Sequence, residues 1–194
     1  MLVAVLAGGE SRRMGVDKAF LPIHGEPMIY HVLQRIETWT NRIVISSSKR
    51  LDYSSLGYPV LRDIYQGKGP LSALNSVFTA FQDEWIALAP CDSPFLNKAV
   101  YEYLTAQTSH YQAVIPYYKG RYHPLAGLYH RDCSAVVKEL LHKDKLAMKS
   151  LYHSVPTKFV DCECISVSSD ILDNHFLNIN HPEDYDMALH MDIR

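Results

Sequence analysis

A chain of 194 residues with 47% hydrophobic and 21% charged side chains and a formal net charge of -2 has the balance of a soluble globular protein. The length allows one sizeable domain with a real core and is short for two. The charge balance excludes a strongly basic nucleic-acid surface and a cationic membrane-binding face, and no run reaches the ~18 apolar residues that a membrane-spanning helix needs.

In chain order, Leu2–Leu6 reads as a short apolar strand that stops at Gly8 and Gly9. Met1–Ala7 is too short for a signal-peptide core, lacks a cationic leader and runs straight into those glycines. Met28–Trp39 has helical spacing at Met28, Ile29, Val32, Leu33 and Ile36, with Pro27 suited to the first turn. Arg42–Ser46 is the second strand, and Val60–Leu61 is a short one ending at Arg62 and Asp63. A loop carrying Gly67, Gly69 and Pro70 leads into a helix over Leu71–Phe81. Trp85–Ala89 is almost continuously apolar, as a central parallel strand should be, and stops at Pro90-Cys91-Asp92-Ser93-Pro94.

The spacing then predicts a helix over Asn97–Gln107, a strand over Gln112–Tyr117 and another over His123–Tyr129. Helices follow over Ser134–His142 and Lys145–His153, and strands over Lys158–Val160 and Cys164–Val167. Pro182–Met191 reads as a closing helix, with Glu183 and Asp184 in the first turn, where the helix dipole favours them. This alternation predicts an α/β architecture with a mainly parallel sheet covered on both faces. The cysteines Cys91, Cys133, Cys162 and Cys164 include no C-x-x-C pair, and no histidine falls in an H-E-x-x-H spacing. Free thiols in a reducing cytoplasm are the expectation.

In such a sheet, ligands bind outside the carboxyl ends of the strands. The glycine-rich and acidic segments sit at those ends: 8–18, Asp63, 67–70 and Asp92. In Leu6-Ala7-Gly8-Gly9-Glu10-Ser11-Arg12-Arg13-Met14-Gly15-Val16-Asp17-Lys18, successive glycines let backbone N–H groups approach phosphate oxygens. Arg13 and Lys18 add the positive charge that a triphosphate needs. The loop is neither G-x-x-x-x-G-K-[ST] nor G-x-G-x-x-G. Asp92 offers a hard oxygen ligand for magnesium, which takes one or two carboxylates plus phosphates and water. Its competing role is a helix cap, for which Ser93 or Asn97 is better placed. Asp63 can accept hydrogen bonds from a ribose or a base, or cap a turn. Cys91 has no activating base placed for it in the sequence.

The string LAGGESRRMGVDKAFLPIHGEPMI resembles the amino-terminal signature of the molybdenum cofactor guanylyltransferases. These belong to the wider class of nucleotidyltransferases with a three-layer, Rossmann-like fold. RDIYQGKGPLSA at 62–73, ALAPCDSPFL at 87–96, YHPLAGLY at 122–129 and FLNINHPEDYDMA at 176–188 resemble further segments of that family. The resemblance runs from Leu2 to about Ala188, and 131–163 adds little that is distinctive. It implies transfer of GMP from GTP to molybdopterin with release of pyrophosphate, in a single domain over 1–194. It implies that Leu6, Ala7, Gly8, Gly9, Lys18, Asp63, Gly69 and Asp92 bind GTP, with Arg13, Lys18 and Asp92 at the chemistry and Mg2+ on Asp92. Asn178 and Asn180 are implied on the molybdopterin side. Local sequence alone favours their tying a loop to the closing helix. His123 reads more readily as a structural histidine than as a general base.

The chain departs from the family pattern with Ser46–Ser48 in place of asparagines, Ala73 in place of glycine, His181 in place of threonine and Tyr185 in place of leucine. Other proteins of molybdenum-cofactor biosynthesis and acceptor enzymes are the partners implied. The rival readings are a molybdopterin cytidylyltransferase or sugar nucleotidyltransferase of the same fold, or a non-catalytic nucleotide-binding protein. Relatives of the first kind resemble L-A-A-G where this chain has Leu6-Ala7-Gly8-Gly9.

Overall fold

Strand β1 (Leu2–Leu6) is buried except at its last residue, because it has a parallel neighbour on each edge and helices over both faces. The computed structural model describes residues 1–7, 18–48 and 53–191. After β1, a turn at Lys18–Phe20 leads to a two-stranded hairpin of β2 (Pro22–Ile23) and β3 (Glu26–Pro27). Its turn places His24 and Gly25 at φ of 49° and 88°. Helix α1 (Met28–Glu37) buries the five predicted apolar positions together with His31, whose Nε2 lies 2.8 Å from the Ile23 carbonyl.

The chain continues through β4 (Ile43–Ser47), β5 (Val60–Arg62), α2 (Pro70–Ala80) and β6 (Trp85–Pro90). Helix α3 (Lys98–Thr105), β7 (Ala113–Tyr118), β8 (Arg121–Tyr122) and β9 (Leu128–His130) follow. The remainder is α4 (Ser134–His142), α5 (Met148–Tyr152), β10 (Thr157–Asp161), α6 (Ser169–Phe176) and α7 (Pro182–Leu189).

The main sheet runs β10-β7-β9-β6-β1-β4-β5, with β8 paired to β7. Along that order β9 is the antiparallel member, between β6 and β7, and the other pairings are parallel. Side-chain alternation divides each strand between two cores. Val3 and Val5 face α1, α3 and α6 through Ile29, Leu33, Val100, Leu104 and Leu172. Leu2 and Ala4 face α2, α4 and α5 through Leu71, Leu74, Val137, Leu141 and Leu151. This is the predicted three-layer α/β arrangement. It sets the carboxyl ends of β6, β1, β4 and β5 side by side.

Three predicted segments differ. His123–Tyr129 is a 3-10 turn at Pro124–Ala126 followed by the short β9, because proline supplies no N–H to a ladder. Gly127 then passes tightly against β7, where a Cβ would stand 2.9 Å from the Val114 carbonyl oxygen. Cys164–Val167 is not a strand; Asp161 accepts a 3.0 Å bond from the Glu163 N–H and turns the chain at Cys162–Cys164. Lys145–His153 shrinks to α5, and α6 and the β2–β3 hairpin were not predicted. In α6 the buried positions are Leu172 and His175, so its apolar signal is thin.

Candidate active site

The hydrogen-bond ladder of the sheet runs one residue past the strands at the carboxyl edge. The Cys91 N–H donates to the Leu6 carbonyl (3.2 Å), Ala7 to Ser46 (2.8 Å) and Asp63 to Ser47 (3.2 Å). Leu6, Ala7, Ser46, Asp63 and Cys91 therefore form one row, with Asp92 just beyond it. The Tyr53 hydroxyl donates to the Ala7 carbonyl (2.9 Å), and the Tyr53 ring stacks on Phe20 at 5.3 Å. The exit of β1 is thereby pinned beside the turn that begins at Lys18. Gly8, Gly9 and Arg13 lie outside the described residues.

Lys18 Nζ donates to Asn180 Oδ1 at 2.9 Å, across 162 residues of sequence. Burial pushes the Asp92 carboxyl above its ordinary range, and the nearby Lys18 ammonium pulls it back in part. Asp92 also anchors the carboxyl-terminal segment, since its carbonyl accepts from the Ile179 N–H at 2.9 Å. Next to it, Ser93 Oγ donates to Asn178 Oδ1 at 2.6 Å. Lys18, Asp92, Ser93, Asn178 and Asn180 thus form one polar cluster drawn from both ends of the chain and its centre. The two asparagines flank Ile179, which is fully buried with Ile23, Met28, Phe95 and Ala188. This is the two-sided disposition that an extended stretch requires. The cap of α3 is Asn97, whose Oδ1 accepts from the Ala99 N–H at 2.9 Å, so Asp92 does not serve that helix.

Asp63 is buried, and its Oδ1 accepts from Ser46 Oγ at 2.7 Å. Burial raises its carboxyl pKa, and the Ser46 bond lowers it to a lesser degree. The loop beyond is fixed to α2 by Ile64 N–H to Ser76 Oγ (2.8 Å) and Tyr65 N–H to Ser72 Oγ (3.0 Å). It ends at Gly69 with φ of 68°, a backbone conformation that favours glycine, directly before Pro70 opens the helix. Gly69 and Asp63 thus flank one short loop at the β5 end of the row. His123 packs its ring on Phe176 at 4.3 Å, and burial lowers its pKa. Sequence reading did not find Tyr53, took Ser93 only as a possible helix cap and took Ser46 only as a departure from a pattern. A lone serine or tyrosine gives no signal until the fold shows its partner.

Among the described residues no group of three His, Cys, Asp or Glu is placed to hold a metal ion by itself. A lone, partly desolvated carboxylate beside Lys18 instead suits an ion that keeps waters and shares phosphate oxygens. No described helix is long and apolar enough to cross a membrane.

Residues 3–157 match the model of the MobA-like NTP transferase domain. A probable molybdenum cofactor guanylyltransferase of Halalkalibacterium halodurans is 36% identical over 93% of this chain and 93% of its own length. One from Carboxydothermus hydrogenoformans is 30% identical over 97% and 95%. Among solved structures, molybdopterin-guanine dinucleotide biosynthesis protein A from Archaeoglobus fulgidus superposes with a TM-score of 0.84 at 22% identity, covering 97% of this chain and 96% of that one. The 2-C-methyl-D-erythritol 4-phosphate cytidylyltransferase of Thermus thermophilus shares the fold at a TM-score of 0.70 and 14% identity, covering 96% of each chain. With this row of polar groups at the sheet's carboxyl edge, and with similarity to named transferases over nearly the full length, the chain belongs to the MobA-like NTP transferase domain family and is a nucleotidyltransferase of the molybdenum cofactor guanylyltransferase group.

Proposed function

We propose that this enzyme transfers GMP from GTP to molybdopterin, forming the guanine dinucleotide of the molybdenum cofactor. The terminal phosphate oxygen of molybdopterin attacks the α-phosphorus in line. A new O–P bond forms, the α–β bridging bond breaks, and pyrophosphate leaves with the electron pair. No protein nucleophile is required, because positioning and charge neutralisation carry such transfers. Lys18 neutralises phosphate charge as it builds up, with Arg13 and the Gly8–Gly9 amides assigned to the same task by sequence. Asp63, held by Ser46, accepts from the guanosine, and the Gly69 turn lies along the nucleotide. Asp92 is the residue that would hold Mg2+, which supplies charge neutralisation at the phosphates when bound. Asn178 and Asn180 face the acceptor. The reaction is assigned to the cytoplasm, where free thiols are stable.

The observation that carries this reading is the meeting of Lys18 and Asp92 at the carboxyl edge of the sheet, beside the row that ends in Asp63. A cation for phosphate, a carboxylate for a divalent ion and a second carboxylate for the nucleoside are all present there. Thermal stabilisation by the four nucleoside triphosphates, each with and without Mg2+, tests it. GTP with Mg2+ is expected to raise the melting temperature most, and GTP alone less. Equal shifts with CTP and GTP would overturn the guanylyl assignment and leave the wider class.

A further inference from the structure

We propose that Asn180 is a positioning residue for Lys18, holding the ammonium ready for the triphosphate. This rests on the reading of Lys18 as a phosphate-binding cation, and it gives Asn180 a duty on the nucleotide side of the site. The contact is Nζ to Oδ1 at 2.9 Å, and it is purely tertiary, since the partners lie 162 residues apart. The acceptor is itself fixed. The Asn180 and His181 N–H groups both donate to Asp184 Oδ2 at 2.8 Å, in the first turn of α7. On the other side, Ile179 is buried and its N–H is bonded to the Asp92 carbonyl at 2.9 Å. Asn180 Oδ1 is therefore in place before any ligand arrives.

Two physical consequences follow. A lysine side chain loses much rotamer freedom when it grips a ligand, and a prior bond moves that loss from binding to folding. The partner is also neutral. A carboxylate at this position would add a compensating charge, whereas an amide oxygen orients the ammonium without one. An ammonium has three donors, so the Asn180 bond is compatible with phosphate oxygens on the same Nζ.

A double-mutant cycle tests this, read as the equilibrium affinity for GTP with Mg2+ in the absence of molybdopterin. Asn180→Ala and Asn180→Leu are each measured in the native and in the Lys18→Ala backgrounds, with melting temperatures alongside. Leucine keeps the branched outline of asparagine and removes the acceptor, so it serves where alanine destabilises the chain. In the native background each change is expected to weaken binding about tenfold, the loss of a hydrogen bond to a charged group. In the Lys18→Ala background the same changes are expected to cost less than about twofold, because their effect passes through Lys18. Equal losses in both backgrounds, or no loss in the native one, would overturn the inference and return Asn180 to a structural tie. Absence of GTP binding by the native chain would overturn the nucleotide assignment and the inference together, an outcome distinct from either of those.

Discussion

At the residue scale the site is built from carboxylates that the fold disfavours in their charged form. Asp63 and Asp92 both have pKa values raised by burial, and the Ser46 and Lys18 contacts compensate only in part. A group with a raised folded pKa binds more protons folded than unfolded. Its stability contribution is therefore full below the unfolded carboxylate range and is lost as pH rises through the folded value. At neutral pH each charge lowers stability. Asp92→Asn removes that charge and keeps the shape. It is expected to raise the melting temperature at pH 7, with the gain shrinking toward zero as pH falls below the carboxylate range. Turnover is expected to fall about a hundredfold or more, since metal-assisted charge neutralisation contributes several kcal/mol. Melting curves across pH set beside turnover check both halves. A variant less stable than the native chain at pH 7 would show that Asp92 is a structural residue.

At the scale of elements, the segment from the end of α6 to the start of α7 completes the site. It reaches Asp92 through a main-chain bond, Ser93 and Lys18 through two asparagine side chains, and its own helix through Asp184. The keystone is Ile179, buried against Ile23, Met28, Phe95 and Ala188. Ile179→Ala is expected to cost about 3 kcal/mol, a loss of apolar burial plus a cavity. For a chain of this size that is a fall in melting temperature of roughly 6–12 °C. Nucleotide affinity should fall with it, because Asn180 is carried on the next residue. A fall of less than roughly 2 °C would mean that this small cluster does not hold the segment.

Much of this was legible in sequence. The helical spacing of α1, α2 and α4 was plain. The bond between Lys18 and Asn180 was not, because nothing local links positions so far apart. The His181 departure also reads differently in three dimensions. Asp184 reaches back to accept from the His181 N–H and secures the helix start that threonine would otherwise cap.

At the scale of the whole molecule, function follows from strand order. The chain crosses from β1 to β4 and β5 on one side and to β6 on the other, so segments near residues 7, 46, 63 and 92 become neighbours at one edge. The apolar strands that do this were readable as continuous buried runs. The antiparallel sense of β9 and the turn before it were not, because Pro124 and Gly127 interrupt a pattern that otherwise alternates as a strand does. That insertion separates β6 from β7 while keeping them parallel, which leaves the carboxyl ends of both on the same edge. The amino-terminal signature fixed the class of chemistry, and the fold then supplied the grouping of Lys18, Asp92, Asn178 and Asn180. The most direct measurement of the account is transfer of label from GTP carrying a radioactive α-phosphorus, incubated with molybdopterin, Mg2+ and the native chain. The account predicts label in a guanine dinucleotide and pyrophosphate released without it. Label that stays in GTP, or a dinucleotide that forms from labelled CTP in its place, would contradict it.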